Sequence, residues 1–335
     1  MKIAVIFGGM SSERDVSIAS GAQIFKALKY KNHDVIAVDT ASGILDKKAE
    51  LSFLDAKVKE LPPDSDKKAL MKGLGSLIRS GGLSDFDICF LALHGGAGED
   101  GTIQGYLDIE GIPYTGSTHM PCCYAMDKHV AKTLFRYHNV PTPDWLMAPV
   151  SAEEAVKRLG LPLVVKPNRE GSTVGLSIVK SIDEFDKAVK TASYHDREVL
   201  IEKFIPGREL TIGVLDDIPL GVGEIIPKMS EIFDYKCKYQ KGGADEIFPA
   251  DLTAEQTQYV MDTAVKAHKA LKMEDYSRVD FRMAPDGSLW CLEVNALPGM
   301  TSSSLLPQSA GVMKISFPDL CEKICMLAVE RRKKG

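Results

Sequence analysis

The chain opens on a run of apolar, largely β-branched residues, Ile3-Ala4-Val5-Ile6-Phe7, that stops at Gly8-Gly9. A stretch of helical periodicity follows from about Ser12 to Tyr30, and then a second apolar run, Val35-Ile36-Ala37-Val38. Short buried runs separated by a helix predict a βαβ opening with parallel strands. A third run, Ile88-Cys89-Phe90-Leu91-Ala92-Leu93, ends at His94-Gly95-Gly96. Loops after the carboxyl ends of parallel strands are where such sheets meet ligands. Between these runs, residues 60–84 carry Pro62-Pro63 and Gly81-Gly82 and read as a loop-flanked helix without evident chemistry.

Past about Met120 the pattern changes to longer helices between strands of alternating polarity, which predicts antiparallel sheets with helices on one face and a domain boundary nearby. Three helix starts carry the capping-box spacing: Ser151 with Glu154, Ser181 with Glu184, and Thr253 with Gln256. Gly242-Gly243, inside a polar stretch from Lys236 to Asp245, marks a mobile loop.

Composition narrows the classes. With 335 residues the chain exceeds the usual single-domain size, so two or three units are expected, with room for a site between them. Hydrophobic residues at 44% and charged residues at 26% predict a folded, soluble protein. A net charge of -5 argues against a polyanionic partner such as nucleic acid, and the closing Arg331-Arg332-Lys333-Lys334 is too short to reverse that. No run is long enough to span a membrane and the amino terminus lacks signal-peptide organisation, so a cytoplasmic location is expected. The seven cysteines are odd in number and scattered with no Cys-x-x-Cys pair, which argues against a disulfide framework. Adjacent Cys122 and Cys123, near His119, lack zinc-site spacing and read as ordinary free thiols.

The densest chemistry lies near the end. Ser277-Arg278-Val279-Asp280-Phe281, a turn at Asp286-Gly287, and Leu292-Glu293-Val294-Asn295 predict a two-stranded ribbon. Side chains alternate along a strand, so Arg278 and Asp280 share one face, as do Glu293 and Asn295, and the hairpin can bring the pairs together. Two carboxylates and an amide oxygen form a hard donor set suited to Mg²⁺, with ATP supplying the remaining oxygens. The bland alternative is an exposed hairpin with solvated alternate positions.

Residues 163–179 form two apolar runs joined by Asn168-Arg169-Glu170-Gly171-Ser172-Thr173-Val174-Gly175. A strand, not a helix, follows, and the Gly-Lys-Ser/Thr of a P-loop is missing, so this is a hairpin lid whose backbone amides, with Lys166, would meet phosphates. Lys128 and Lys203 are further candidates for neutralising triphosphate charge, although each alone reads as a solvated surface lysine.

These motifs, together with Phe7-Gly8-Gly9-Met10-Ser11-Ser12-Glu13-Arg14-Asp15-Val16-Ser17, Gly98-Glu99-Asp100-Gly101, Met126-Asp127-Lys128 and Asn295-Ala296-Leu297-Pro298-Gly299, resemble the D-alanine-D-alanine ligase family of the ATP-grasp superfamily over nearly the whole chain. The resemblance implies an α/β and α+β protein in three parts. These are an N-terminal Rossmann-like domain (1–121), a central ATP-grasp subdomain with the phosphate lid (122–213), and a C-terminal ATP-grasp subdomain with the metal site and mobile loop (214–335). It implies that ATP phosphorylates one D-alanine carboxylate and that the amine of a second attacks the acyl phosphate, releasing ADP and phosphate in peptidoglycan precursor synthesis. Mg²⁺ is the implied cofactor, as one or two ions with Mn²⁺ an acceptable substitute; the implied partners are ATP and D-alanine, and a homodimer is compatible with it.

By resemblance, Glu13 holds the first ammonium group, linked through hydrogen bonds to Ser172 and Tyr239, and His94 sits beside the first substrate. Arg278 and the Gly299 amide face the developing oxyanion, and Asp280, Glu293 and Asn295 bind the metal. Lys128, Lys166, Glu202, Lys203, Phe204, Ile205 and Glu209 are the nucleotide contacts, with Lys238 reaching the phosphates as the loop closes. Ser304 and Leu305, at a helix start, would take the second substrate's carboxylate, although Ser303 or Ser304 as a plain helix cap fits equally well. Departures are Ala296 where threonine is common, Phe204 where some members have tryptophan, and Phe248-Pro249-Ala250 after the loop. Tyr239 points to dipeptide rather than depsipeptide. Two rivals stay open: an ATP-grasp enzyme with another acceptor, such as D-lactate, D-serine or an L-amino acid, and a nucleotide-binding module without turnover.

Overall fold

The computed structural model describes residues 1–9, 13–55, 75, 76, 78, 79, 81–228 and 242–334. Met10 to Ser12, most of the 60–84 segment, and Cys237, Lys238 and Tyr239 of the expected mobile loop lie outside the described residues.

The opening folds as expected. Strand β1 (Lys2–Phe7), helix α1 (Arg14–Tyr30) and β2 (Asp34–Asp39) form the βαβ unit, with β1 and β2 parallel. β3 (Gly43–Ile44) adds an antiparallel edge, α2 (Lys47–Leu54) follows, and β4 (Ile88–Leu91) pairs parallel with the other side of β1. The sheet order is β3-β2-β1-β4. Ile3, Val5, Ile6 and Phe90 are fully buried, as expected of strands covered on both faces. α3 (Thr102–Ile109) completes this half.

Two antiparallel sheets follow α4 (His119–Met126) and α5 (Lys128–Tyr137). The first, ordered β5-β8-β6-β7, contains β5 (Trp145–Met147), β6 (Leu163–Pro167), β7 (Ser177–Val179) and β8 (Val199–Lys203), backed by α6 (Ala152–Leu159) and α7 (Phe185–Ser193). The second, ordered β11-β10-β9-β12-β13, contains β9 (Arg208–Leu215), β10 (Ile218–Pro227), β11 (Ala244–Ile247), β12 (Tyr276–Met283) and β13 (Leu289–Asn295). Helix α8 (Ala254–Ala270) packs on this sheet through Val260, Ala264 and Ala267. α9 (Leu305–Val312) and α10 (Phe317–Lys334) close the chain.

The last helix returns to the first sheet: Leu320, Ile324 and Ala328 share one core with Ile3, Leu28 and Phe90. Lys31 pairs with Asp319 and Glu322 across the same contact. The two ends of the sequence are thereby packed together, a closure that local pattern does not announce.

The capping boxes are realised unequally. Thr253 and Gln256 exchange both bonds, at 3.2 and 3.1 Å, and Ser181 with Glu184 does the same around a 3-10 turn, Ile182–Glu184. At Ser151 the hydroxyl accepts from the Glu154 amide at 3.2 Å, while no return bond from the Glu154 side chain accompanies it. Glu154 instead faces Arg158 one turn on, at 3.7 Å, the usual alternative for an exposed helical carboxylate.

His268, on α8, is 1% exposed and bonds Ser277 Oγ on β12 at 2.7 Å. Burial pushes its pKa down to about 4, against the partial opposing pull of Asp217. The unfolded chain, titrating near 6.5, therefore binds more protons between those two values, so stability rises with pH across that window and is lost as pH falls through it. Urea unfolding is expected to lose on the order of 3 kcal/mol through this group between pH 7 and pH 4. His268→Gln should flatten that part of the profile, and an unchanged pH slope would count against the assignment.

Candidate active site

The β12/β13 ribbon forms as expected and brings the two pairs together. Arg278 lies opposite Asn295, and Asp280 opposite Glu293, with an irregularity after Asp280 that resets the pairing to Phe281 and Cys291. Asp280 accepts a fork from Arg278 Nε and Nη2 at 2.9 and 2.7 Å, the Thr211 hydroxyl at 2.7 Å and the Asn295 amide at 2.9 Å. Four donors occupy the roughly four acceptor positions of a carboxylate. Burial alone would lower the pKa of Arg278, but the adjoining Asp280 more than offsets it and keeps the guanidinium firmly charged. Glu293 is less committed: its ion-pair contact is Lys128, at 3.7 Å, and its side chain keeps 31% of its surface.

Among the described residues no cluster of three or more His, Cys, Asp or Glu side chains is placed to hold a metal. The set here is two carboxylates and Asn295, whose chemistry fits a hard divalent cation that takes few protein ligands. Glu293 has acceptor capacity to offer, whereas Asp280 must release part of its present bonding to take a cation.

Facing the ribbon is the lid hairpin, with β6 and β7 antiparallel as expected and Ser172 and Thr173 at its tip. Both tip residues have positive φ, 49° and 60°, a backbone region that non-glycine residues hold mainly where their surroundings impose it. What holds Ser172 is visible: its hydroxyl donates to Glu13 Oε1 at 2.5 Å, across 159 positions of sequence. Glu13 precedes α1 at its cap position, where its carbonyl accepts the Ser17 amide at 3.0 Å, yet its side chain makes no cap bond; the carboxylate bonds the lid instead.

Ribbon and lid enclose a cleft of about 960 Å³, counting space open to solvent. Lys128, Lys166, the run from Glu202 to Ile205, and Glu209 all line it, together with Asp280 and Glu293. Lys128 is buried and donates to the Glu170 carbonyl at 2.7 Å, and burial lowers its pKa. Glu202 ion-pairs with Lys166 and, at 3.0 Å, with Lys132. Burial would raise the Glu202 carboxyl, but Lys132 and Lys166 outweigh it and hold the group at about 2. Burial pulls Lys132 the opposite way, and the two-cation arrangement leaves Glu202 ionised. Lys203 is exposed at the end of β8. Arg282 binds three of the expected nucleotide residues at once: the Ile205 carbonyl at 3.1 Å, Glu209 at 3.2 Å, and the Phe204 ring at 5.6 Å.

His94 is buried, with Nδ1 on the Leu297 carbonyl at 3.0 Å and Nε2 on Ser20 Oγ at 3.1 Å, and burial lowers its pKa. Since a carbonyl can only accept, Nδ1 carries the proton. Ser304 occupies the cap position of α9, but its hydroxyl makes no cap bond; it bonds the Thr301 amide at 3.0 Å and the Thr301 hydroxyl at 2.8 Å. A Cβ on Gly299 would come within 3.1 Å of that hydroxyl, so the backbone passes Ser304 closely. Leu305 is buried behind it.

Sequence reasoning passed over three residues that matter here. Arg282 continues the alternation of Arg278 and Asp280 along β12, so its face was readable. Lys132 sits one turn after Lys128 on α5. Glu99 belongs to a quoted motif but carried no role; its carboxylate is pushed up to about 7, by burial first and by the charge of Glu13 second.

Comparison with known proteins points to one family. The family profile described as "D-ala D-ala ligase N-terminus" matches residues 2–117, and "D-ala D-ala ligase C-terminus" matches residues 130–326. The chain is 41% identical to a D-alanine-D-alanine ligase of Geotalea uraniireducens (strain Rf4), over 98% of its own length and 95% of that protein. It is 39% identical to one of Geobacter sulfurreducens, over 100% and 96%. A crystal structure of the D-alanine-D-alanine ligase from Bacillus anthracis complexed with ATP superposes with a TM-score of 0.79 at 34% identity, covering 100% of this chain and 99% of that one. With two family profiles spanning most of the sequence and relatives matched end to end, the chain belongs to the D-alanine-D-alanine ligase family.

Proposed function

We propose that the protein joins two D-alanines to D-alanyl-D-alanine at the expense of ATP, through an acyl phosphate, and serves peptidoglycan precursor synthesis in the cytoplasm. The observation that carries this reading is the Glu13–Ser172 bond, which ties the amino-terminal helix start to the tip of a lid covering the Lys128, Lys166 and Glu202 cleft. One side of the cleft suits a nucleotide, and the bonded pair offers a carboxylate to a substrate ammonium beside it.

A free carboxylate resists attack because its charge is delocalised and oxide leaves poorly; phosphorylation supplies a stabilised leaving group. Glu202 to Ile205 would receive the adenine and Glu209 the ribose, with Lys128, Lys166 and Lys238 at the phosphates. Mg²⁺, held by Asp280, Glu293 and Asn295, would supply charge neutralisation at the transferring phosphoryl group. Arg278 and the Gly299 amide would stabilise the oxyanion formed on amine attack, with the gain coming from donors already in place. Tyr239 would complete the Glu13–Ser172 link, and Ser304 with Leu305 would receive the second carboxylate. The chain would work as three units, 1–121, 122–213 and 214–335, and a homodimer is compatible with this reading. Among the described residues no helix is long and apolar enough to cross a membrane.

Phosphate release from ATP is expected to require both Mg²⁺ and D-alanine and to accompany dipeptide formation. Equal turnover with L-alanine would overturn the substrate assignment. Absence of turnover with any amino acid would favour a nucleotide-binding module instead.

A further inference from the structure

Leu297 is gripped at both of its backbone polar groups by one loop of the amino-terminal half. Its N–H donates to Glu99 Oε1 at 3.3 Å, and its carbonyl accepts from His94 Nδ1 at 3.0 Å. The second oxygen of Glu99 accepts the Gly95 amide at 3.1 Å, so the carboxylate also closes its own loop. That loop is sharply bent, with Gly95 and Gly96 at φ 65° and 50°, and Gly98 so close to Leu93 that a Cβ would lie 2.8 Å from the Leu93 Cβ. The 94–99 segment is therefore a preformed jaw, and Leu297, 3% exposed, is what it holds.

Leu297 stands two residues after Asn295 and two before Gly299. We propose that Glu99 is a positioning residue for the ligation reaction, a carboxylate clamp that sets the 295–299 backbone so that Asn295 and the Gly299 amide point into the cleft together. This rests on the ligase reading above. The chemistry favours a carboxylate at this place: two N–H donors arrive from different peptides, each needs an acceptor oxygen, and both pull the carboxyl toward its charged form against the burial that raises its pKa. Glutamine would turn an NH₂ toward one of them, replacing a hydrogen bond by a donor-donor contact. Aspartate keeps both oxygens but is shorter by one methylene.

A clamp that positions reacting groups acts on the chemical step, whereas simple adhesion between the two halves of the molecule would change stability and binding together. In Glu99→Gln, kcat for phosphate release with D-alanine is expected to fall about 10²-fold, the scale of a 1 Å misplacement at a reacting centre. The Kd for ATP, titrated directly, should stay within about threefold, because the Glu99 carboxylate bonds Gly95 and Leu297 rather than the nucleotide side chains Lys166, Glu202 and Glu209. Glu99→Asp should recover part of the lost kcat, and it carries the test if the glutamine variant fails to fold. A wild-type kcat in Glu99→Gln overturns the clamp, as does a loss of ATP affinity as large as the loss of kcat. Both outcomes differ from failure of the ligase reading, in which the wild-type enzyme itself would not turn over with D-alanine.

Discussion

Glu293→Ala is expected to lower kcat on the order of 10³-fold while leaving the protein folded. A hard cation at a transferring phosphoryl group contributes several kcal/mol of charge stabilisation, and each 1.36 kcal/mol is a factor of ten in rate. The structure makes Glu293 the cleaner of the two carboxylates for this test. Its side chain is 31% exposed and its ion pair with the buried Lys128 is long, at 3.7 Å, so removing it should cost less stability than removing Asp280. Asp280 differs, because it neutralises the buried Arg278 and accepts four hydrogen bonds. Asp280→Ala would leave that guanidinium uncompensated, at about 3–5 kcal/mol, and loss of turnover could then reflect unfolding. Asp280→Asn keeps the shape and is the better companion variant. Phosphate release at rising Mg²⁺, with unfolding followed in parallel, measures both effects. Near-normal rates in either variant would remove the metal site from this ribbon.

Glu202→Leu should be, with Asp280→Ala, among the most destabilising single changes in the cleft. Glu202 neutralises Lys166 and Lys132, and Lys132 is 1% exposed, with the Thr142 hydroxyl as its other polar contact, at 2.7 Å. Without the carboxylate a buried ammonium must either lose its proton or remain uncompensated, a penalty of about 3–5 kcal/mol. Lys132→Met in the same chain removes the orphaned charge and should restore more than half of that stability, since groups in one network are strongly non-additive. ATP affinity should not recover with it, because the carboxylate that lines the nucleotide cleft is still missing. Urea titration of the two single variants and the double variant provides the cycle. Strict additivity would show that the buried pair is not coupled as the 3.0 Å contact implies.

The Glu202 network also shows where sequence reading stopped. Lys132 looks like any helical lysine four residues from Lys128, and periodicity places it on the same face without saying what that face meets. Only the docking of α5 into the core it shares with α8 brings its ammonium between Glu202 and Thr142, whose hydroxyl in turn bonds the Cys291 carbonyl at 2.9 Å. The ribbon is the opposite case. The two-residue alternation around Arg278, Asp280, Glu293 and Asn295, with the Asp286-Gly287 turn between, predicted the ribbon and which side chains share a face, while the register and its irregularity after Asp280 came with the fold. The lid hairpin and the βαβ opening were legible for the same reason: strand and helix periods are local properties.

The sequence by itself determined the elements, the parallel opening, the antiparallel ribbon and lid, and, through motif resemblance, the family. Tertiary structure decided three contacts, of which the family resemblance had implied only the first. Glu13 reaches Ser172 across 159 positions, Glu99 and His94 grip Leu297 across about two hundred, and α10 seals the first sheet. The physical reason is common to all three. Local periodicity constrains which side of an element is buried, but not which distant polar group will arrive there. That choice is made when whole elements dock and every buried donor and acceptor must find a partner at once.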